Sequence, residues 1–172
     1  LHSLRRRQRQ MCIRDSYMYS HEVKLEDLNL RLNVKWILYD LAGQFAYYEV
    51  RPLFYYGAKA ALVVFDISRP ETFMSLPAWI FEFWKYAPGN IVEKRPIVIV
   101  GNKSDLRGKV PNVVPYEKAV EYAEKVSKVT GFKVPYIETS ALLVKGVDEA
   151  FEMLLRIVLE YYNVLERLKI IA

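Results

Sequence analysis

The sequence is poor in the features that build disulfides, zinc sites and membrane spans. Cys12 is its single cysteine, which excludes an internal disulfide and a cysteine-based zinc site. No apolar run reaches the roughly 18 residues of a membrane span, and the arginine-rich start lacks the apolar stretch of a signal peptide. No C-terminal cysteine is present for prenylation. We therefore expect a soluble, cytoplasmic protein whose membrane contact is at most peripheral.

The excess of positive over negative charge is also small once residues 1–16 are set aside. The net charge of +5 comes from 25 Lys and Arg against 20 Asp and Glu. Residues 1–16 hold five of the arginines and one aspartate, so residues 17–172 carry 20 basic and 19 acidic side chains, a net charge of +1. The net charge of a nearly neutral domain does not support binding to a polyanion, so we expect no nucleic-acid partner.

The composition changes at residue 16. Residues 1–16 begin without methionine, show no periodicity and contain LRRRQRQMCIRDS, which resembles translated adapter sequence. We interpret residues 1–16 as a non-native or artefactual segment, with a genuine basic arm as the alternative. Residues 17–172 are enough for one buried core and too few for two, which predicts one domain over that range.

Beyond residue 16, apolar strand segments alternate with helical segments. Runs at Tyr17–Leu25 and Leu30–Tyr39 flank a polar turn and predict a hairpin. Three shorter segments are predicted as strands: Ala60–Phe65, Pro96–Val100 and Val134–Glu138. The first two are apolar throughout, as expected of parallel strands covered on both faces. The alternation predicts an α/β fold with a doubly wound, mostly parallel sheet.

Three helices are predicted between and after these strands. The first has Ser68 and Glu71 at capping-box spacing, and Pro77 marks a break near its start. The second covers Pro115–Thr130 and is followed by a glycine. The third is amphipathic and runs from about Val147 to Leu168.

Polar groups follow three of the predicted strands, where an open α/β sheet binds its ligands. They are YDLAGQ at residues 39–44, GNKSD at residues 101–105 and ETSAL at residues 138–142. Taken singly, each is equally compatible with a loop acid, a turn or a helix cap. Their order, each after a predicted buried strand, favours one shared pocket.

The first group suits a metal-bound phosphate. Asp40 can face a phosphate-bound Mg²⁺, usually through water, because a hard cation prefers oxygen ligands. Gly43 lets its backbone N–H approach a terminal phosphate, and Gln44 is placed to orient an attacking water.

The other two groups suit a guanine base. Asp105 offers two acceptor oxygens, which match the N1–H and exocyclic amine of guanine and mismatch adenine. Asn102 can brace neighbouring loops, and the methylene stem of Lys103 can cover one face of the base. The backbone N–H of Ala141 can donate to the guanine keto oxygen.

Together the motifs resemble those of Ras-superfamily small GTPases, and FYYGAKAALVVFDISRPETF at residues 54–73 is similar to the Rab-like branch. The resemblance implies a Ras-like P-loop NTPase fold, GTP/GDP and Mg²⁺ as cofactors, and a molecular switch that hydrolyses GTP in signal transduction or intracellular trafficking. It makes Gln44 catalytic and Asp40 the metal-facing residue. The nucleotide-binding residues that it implies are Gly43, Asn102, Lys103, Asp105, Ser140, Ala141 and Leu142.

The resemblance also implies a surface that meets regulatory and effector proteins. Its residues are Phe45, Tyr47, Tyr48 and Arg51. These residue types are enriched at binding hot spots, although ordinary packing of a short helix on the sheet is the alternative. We expect Tyr55 and Tyr56 to be mostly buried, and Phe45 and Tyr47 to be more exposed.

The chain departs from the family's pattern by an absence. No glycine precedes Gly43, no threonine precedes Thr72, and no G-x-x-x-x-G-K-[S/T] occurs. We interpret the chain as N-terminally truncated, without the phosphate loop and the first, central strand. As it stands it is expected to be poorly soluble, to bind GTP negligibly and to be inactive.

Two other interpretations stay open. One is a non-catalytic pseudo-GTPase that serves as an interaction module without a phosphate loop. The other is a flavodoxin-like or dehydrogenase-like domain, against which stands the lack of G-x-G-x-x-G after a first strand.

Overall fold

The computed structural model of the chain describes residues 13–26, 29–41, 51–87 and 94–164. The chain divides into two compact units, Leu1–Phe54 and Tyr55–Ala172. In the described ranges no helix has both the length and the apolar character needed to cross a bilayer. The predicted domain boundary at residue 16 stays a prediction.

The first unit contains an antiparallel hairpin. Strand β1 (Ile13–Leu25) pairs with strand β2 (Leu30–Leu41), and the register shifts between Ile13 and Asp15. Alternate residues of β2 are half-buried and exposed, so one face of this strand is partly covered. The predicted hairpin is confirmed. Its first strand begins at Ile13, four residues before the predicted start, because pairing with β2 continues through those residues.

Helix α1 (Pro52–Tyr55) is a single turn. Tyr55 is 6% exposed and packs edge-on against Phe83, as predicted, whereas Tyr56 is 77% exposed. The prediction that both tyrosines are buried is therefore wrong for Tyr56. Consecutive residues on a helical turn point about 100° apart, so one side chain of the pair faces the core and the other faces solvent.

The second unit is built on a parallel sheet. Its strands are β3 (Ala61–Asp66), β4 (Ile97–Asn102) and β5 (Tyr136–Glu138), in the order β3-β4-β5. Ile97 to Val100 of the central strand are all at most 4% exposed. Because successive residues of a strand point to opposite faces, both faces of β4 are covered. The predicted α/β architecture with a buried parallel sheet is confirmed.

Among the described residues, four helices cover this sheet. They are α2 (Pro70–Met74), α3 (Leu76–Tyr86), α4 (Tyr116–Thr130) and α5 (Val147–Tyr161). Helices α2 and α3 pack on β3, α4 packs on β5, and α5 packs on β3 and β4. The predicted break near Pro77 lies at Ser75, between α2 and α3. Helix α4 has the predicted start after Pro115, and its end at Gly131 is left-handed, with φ 79°.

Two local predictions need correction. The capping box does not form, because Ser68 donates its hydroxyl to Asp66 and the Glu71 carboxylate pairs with Arg69. Helix α2 accordingly begins without a side-chain cap. Strand β5 begins two residues later than predicted, after Pro135, which has no amide hydrogen to donate to a neighbouring strand. The predicted end of α5 near Leu168 lies outside the described residues.

Candidate guanine-base site

Parallel pairing brings the ends of the three strands of the second unit to one edge. Asp66 of β3 is in register with Asn102 of β4, and Gly101 of β4 with Glu138 of β5. The Thr139 N–H donates to the Gly101 carbonyl at 2.9 Å, and the Ser104 N–H donates to the Thr139 carbonyl at 2.9 Å. The GNKSD and ETSAL motifs are therefore joined through their backbones.

Asn102 braces the loop that follows β5. Its Oδ1 accepts hydrogen bonds from the Thr139 hydroxyl at 3.1 Å and from the Ala141 N–H at 3.2 Å. This is the bracing contact that the sequence predicted. It also gives the Ala141 N–H a protein acceptor, so donation to a guanine keto oxygen would require this amide to share or exchange its partner.

Asp105 is tied to the same loop by its side chain. It lies in a 3-10 turn, Ser104–Leu106, and its Oδ1 accepts a 2.5 Å hydrogen bond from the Ser140 hydroxyl. Ser140 is fully buried, and its Oγ in turn accepts the Leu143 N–H at 3.2 Å. A buried hydroxyl with a donor behind it fixes one carboxylate oxygen, so the orientation of the Asp105 carboxylate is set by the loop after β5.

Residues outside the predicted set hold this edge together. Arg107 pairs with Glu138 and also donates to the Val114 carbonyl at 3.1 Å, while the Tyr136 hydroxyl donates to Glu138 at 2.8 Å. The hydrogen bond with Glu138 raises the pKa of Arg107. Burial, reinforced by the carboxylate, raises the pKa of Tyr136. The hydrogen bonds of Arg107 and Tyr136 to Glu138, which we call the clamp, connect the turn after β4 to β5.

Two glycines allow close approaches beside the clamp. A Cβ on Gly101 would lie 2.4 Å from the Tyr136 hydroxyl and 3.0 Å from Ile67 Cγ2. Gly146 has φ 75°, and a Cβ there would lie 2.4 Å from the carbonyl oxygen of Glu138. A Cβ at Gly101 would force the Tyr136 side chain to shift, whereas a Cβ at Gly146 would meet the backbone at the end of β5.

The Lys103 side chain is held on the side of β3, which flanks β4 opposite β5. Lys103 has a left-handed backbone with φ 66°, and its Nζ lies 2.6 Å from Asp66 Oδ2 at the end of β3. Burial acts to raise the pKa of Asp66, but the hydrogen bonds from Lys103 and Ser68 outweigh it and hold that pKa below its ordinary value. Sequence reasoning did not select Asp66, whose only signal was its position directly after an apolar strand.

The loop that carries Leu142 is an exposed apolar turn. Two backbone hydrogen bonds between Ser140 and Lys145, at 2.9 and 3.0 Å, close it. Leu142, Leu143 and Val144 are 79%, 62% and 80% exposed. The Leu142 side chain is therefore open to solvent, and its role in nucleotide binding stays a prediction.

A sequence model of the Ras family matches residues 7–160. The chain belongs to the Ras family. Its resemblance to the Rab branch is borne out by curated relatives, and the Ras-like fold agrees with the parallel sheet described above.

Three relatives illustrate the similarity of this Ras-family chain. Ras-related protein RABA4b of Arabidopsis thaliana is 36% identical over 135 residues, which are 78% of this chain and 54% of the relative. Ras-related protein Rab11A of Lotus japonicus is 37% identical over 139 residues, 81% of this chain and 55% of the relative. Ras-related protein Rab-31 of Homo sapiens is 34% identical over 118 residues, 69% of this chain and 54% of the relative. The chain spans about half the length of the curated relatives it matches.

The YDLAGQ motif is described only in part. Asp40 lies at the end of β2 in the first unit, is exposed and is in register with Asp15. Gly43, Gln44, Phe45, Tyr47 and Tyr48 lie outside the described residues. Arg51 is described and is 5% exposed, which leaves little of its side chain at the surface. The roles of all these residues stay predictions.

Asp40 is the described residue that the sequence assigns to a metal. Within residues 13–26, 29–41, 51–87 and 94–164, no group of three or more His, Cys, Asp or Glu could hold a metal ion. Mg²⁺ commonly keeps several waters and takes one or two carboxylates together with nucleotide phosphates. An exposed Asp40 fits that mode, and it would then act on a metal carried by the nucleotide.

Proposed function

We propose that this Ras-family chain recognises guanine nucleotides and, in the whole protein, acts as a molecular switch that hydrolyses GTP to GDP. The observation that carries the proposal is the pair of side-chain ties between the two base-reading motifs, from Asn102 to Ala141 and from Ser140 to Asp105. They hold an acceptor carboxylate and the backbone of the ETSAL loop at one strand edge.

Each residue has a definite task in base recognition. One Asp105 oxygen is occupied by Ser140, and the carboxylate accepts from the two adjacent guanine donors with its remaining lone pairs. Asn102 keeps the Ala141 loop at a fixed distance from the turn that carries Asp105. The stem of Lys103 and the exposed Leu142 contribute apolar cover beside the base.

The switch chemistry is assigned from the family's motif. GTP would supply the phosphoryl group, and Mg²⁺ would enter bound to the GTP phosphates. Asp40 would hold that metal through water, Gly43 would approach the terminal phosphate, and Gln44 would orient the attacking water. Loss of the phosphate would release the segment that bears Phe45, Tyr47, Tyr48 and Arg51, which would bind regulatory and effector proteins. We place this action in the cytoplasm, with membrane contact at most peripheral.

The base site can be tested without any contact to phosphate. Saturation-transfer NMR and a titration of amide shifts would measure the binding of guanosine and adenosine to the chain. Hydrogen bonds to a charged carboxylate contribute about 1.5–3 kcal/mol each, so guanosine should bind at least about ten-fold more tightly than adenosine. Equal binding of the two nucleosides would overturn the proposal.

A non-catalytic interaction module is the second candidate, because no G-x-x-x-x-G-K-[S/T] occurs in the 172 residues. The two candidates share the base site and differ at the phosphates. Measured on the whole protein, GTP binding far tighter than guanosine binding, with turnover, would support the switch, whereas equal affinities without turnover would support the module. In a form that hydrolyses GTP, Gln44→Leu should slow turnover strongly while nucleotide affinity is preserved.

A further inference from the structure

We propose that Asp66 is a positioning residue of the guanine-base site, which holds the Lys103 ammonium so that the lysine stem stays beside the base. The inference rests on the proposed function and deepens it. Asp66 does not itself contact the base. It acts through Lys103.

The Asp66 carboxylate is held in place by residues other than the lysine. Its Oδ1 accepts hydrogen bonds from the Ser68 N–H at 2.9 Å and from the Ser68 hydroxyl at 2.6 Å. The Asp66 N–H donates to the Thr72 hydroxyl at 3.0 Å, which ties the residue to helix α2. The side chain is only 14% exposed. The remaining oxygen, Oδ2, therefore points in one direction.

The Lys103 ammonium pairs with this oxygen although about half of the lysine side chain is exposed to solvent. The side chain is 53% exposed, yet its Nζ lies 2.6 Å from Asp66 Oδ2. A solvated lysine samples many rotamers, and holding it in one of them costs side-chain entropy. With both ends held, the stem has already lost that freedom before a base arrives, so binding would not have to order it.

The pair completes a two-sided anchoring of the GNKSD motif. Lys103 reaches from β4 to the end of β3, where Asp66 is in register with Asn102. Asp105, two residues further along, is held from the other side by Ser140 after β5. The base-covering residue and the base-selecting residue are thus fixed independently by the two strands that flank β4.

Two substitutions separate this role from simple stabilisation. In Asp66→Asn the amide oxygen can still accept from Ser68, so the turn is kept, while the amide NH₂ faces the lysine ammonium and the attraction is lost. Lys103→Met keeps an apolar stem and removes the ammonium. Glu71→Gln is the matched control, because Glu71 pairs with Arg69 at 2.8 Å on the exposed surface nearby.

The experiment is a double-mutant cycle of guanosine affinity by NMR titration in the intact chain. Asp66→Asn should weaken guanosine binding about three- to ten-fold when Lys103 is present and by less than two-fold in Lys103→Met, consistent with the coupling energies of residues in direct contact. Glu71→Gln should leave the affinity unchanged. Asp66→Glu, which retains the charge, should restore most of the lost affinity.

A salt titration of the native chain supplies a test that does not depend on the folding of the Asp66 variants. Guanosine is uncharged, so raising NaCl to about 1 M should weaken its binding to the native chain more than to Lys103→Met, because only the former has an ion pair to screen.

The outcomes are distinct. If the native chain prefers guanosine but Asp66→Asn has no effect, or the same effect in both backgrounds, the inference fails alone. Equal salt sensitivity of the native chain and Lys103→Met has the same meaning. If the native chain does not prefer guanosine over adenosine, the proposed function fails.

Discussion

Asp105 carries the selectivity that we propose, and the Ser140 hydroxyl already orients it. Asp105→Asn replaces an acceptor oxygen with a donor NH₂, which opposes the guanine amine and matches the C2 carbonyl of xanthine. Guanosine affinity should fall at least about ten-fold, and xanthosine should become the preferred nucleoside. Competition NMR with the two nucleosides checks this. Asp148 is exposed, so Asp148→Asn serves as the control. An unchanged preference for guanosine in Asp105→Asn would show that Asp105 does not select the base.

Gly101 offers a second test at a single residue. Gly101→Ala places a Cβ 2.4 Å from the Tyr136 hydroxyl, and such overpacking costs about 1–3 kcal/mol of unfolding free energy. Tyr136→Phe removes that hydroxyl, so the double variant should lose less stability than the sum of the two single variants. Urea unfolding of the four proteins measures the difference. Strict additivity would contradict the proposed clash.

Motif reasoning selected Asp105 because its carboxylate matches the guanine donors, Asn102 as a brace between loops, and Ser140 through the family resemblance. It missed Asp66 and Arg107, whose partners are distant in the chain: Arg107 meets Glu138, 31 positions away, and Asp66 meets Lys103 only through the pairing of β3 with β4. Neither contact leaves a periodic signal in the sequence. They become visible only when the strand register is known.

The start of α5 provides a prediction for an element. Gly146 and Gly131 both have left-handed φ, of 75° and 79°, but only at Gly146 does a Cβ meet a neighbouring atom, the Glu138 carbonyl oxygen at 2.4 Å. Gly131→Ala should cost about 1–2 kcal/mol from the backbone conformation alone. Gly146→Ala should cost clearly more, because β5 and α5 must separate. Equal losses in chemical unfolding would refute the close approach.

The turn between β3 and α2 should make stability depend on acid. The pKa of Asp66 lies below its ordinary value of 3.8 in the folded chain, so its stabilising contribution is present above about pH 4 and is lost as pH falls through the lower folded value. The stability difference between the native chain and Asp66→Asn should therefore shrink between pH 6 and pH 3. Urea unfolding at both pH values measures it. A difference that stays constant or grows would show that the carboxylate is not ionised in a favourable pair.

Element types were predicted more reliably than their ends. Helix α4 was found from its proline and glycine, and the central strand from its apolar run, since both signals are local. The start of β1 was missed because pairing partners, and not composition, extend that strand to Ile13. The capping box failed because Asp66 competes for Ser68. Such competition between acceptors is decided in three dimensions.

For the whole molecule, the outer strand of the parallel sheet is the feature that bears on association. Among the described residues β3 is at one end of the strand order, and Val64 on it is 56% exposed. A lysine on an edge strand discourages pairing with another chain, so Val64→Lys should reduce concentration-dependent aggregation in light scattering. Val129→Lys is the control, because Val129 is 68% exposed but lies on α4. Equal improvement by both would point to net charge as the cause.

The alternation of strands and helices was enough to predict the α/β class, and the family match agrees with it. It was not enough to predict the division at Phe54 and Tyr55, because the motif pattern runs through that point without a linker signal. The residues assigned to phosphate and metal chemistry lie at Asp40 in the first unit and in residues 42–50, so their assignment rests on the sequence motif.

The close approach of Gly101 to Tyr136 also helps to fix the register of β4. If β4 slipped by one residue, Val100 or Asn102 would bring a side chain to the place where a Cβ does not fit, and every alternating residue of the strand would turn to the other face. The same slip would carry Asn102, Lys103 and Asp105 away from their partners. A slipped register of β4 would therefore also disrupt the proposed base site. We do not expect a stably folded form with the wrong register to discriminate between nucleosides.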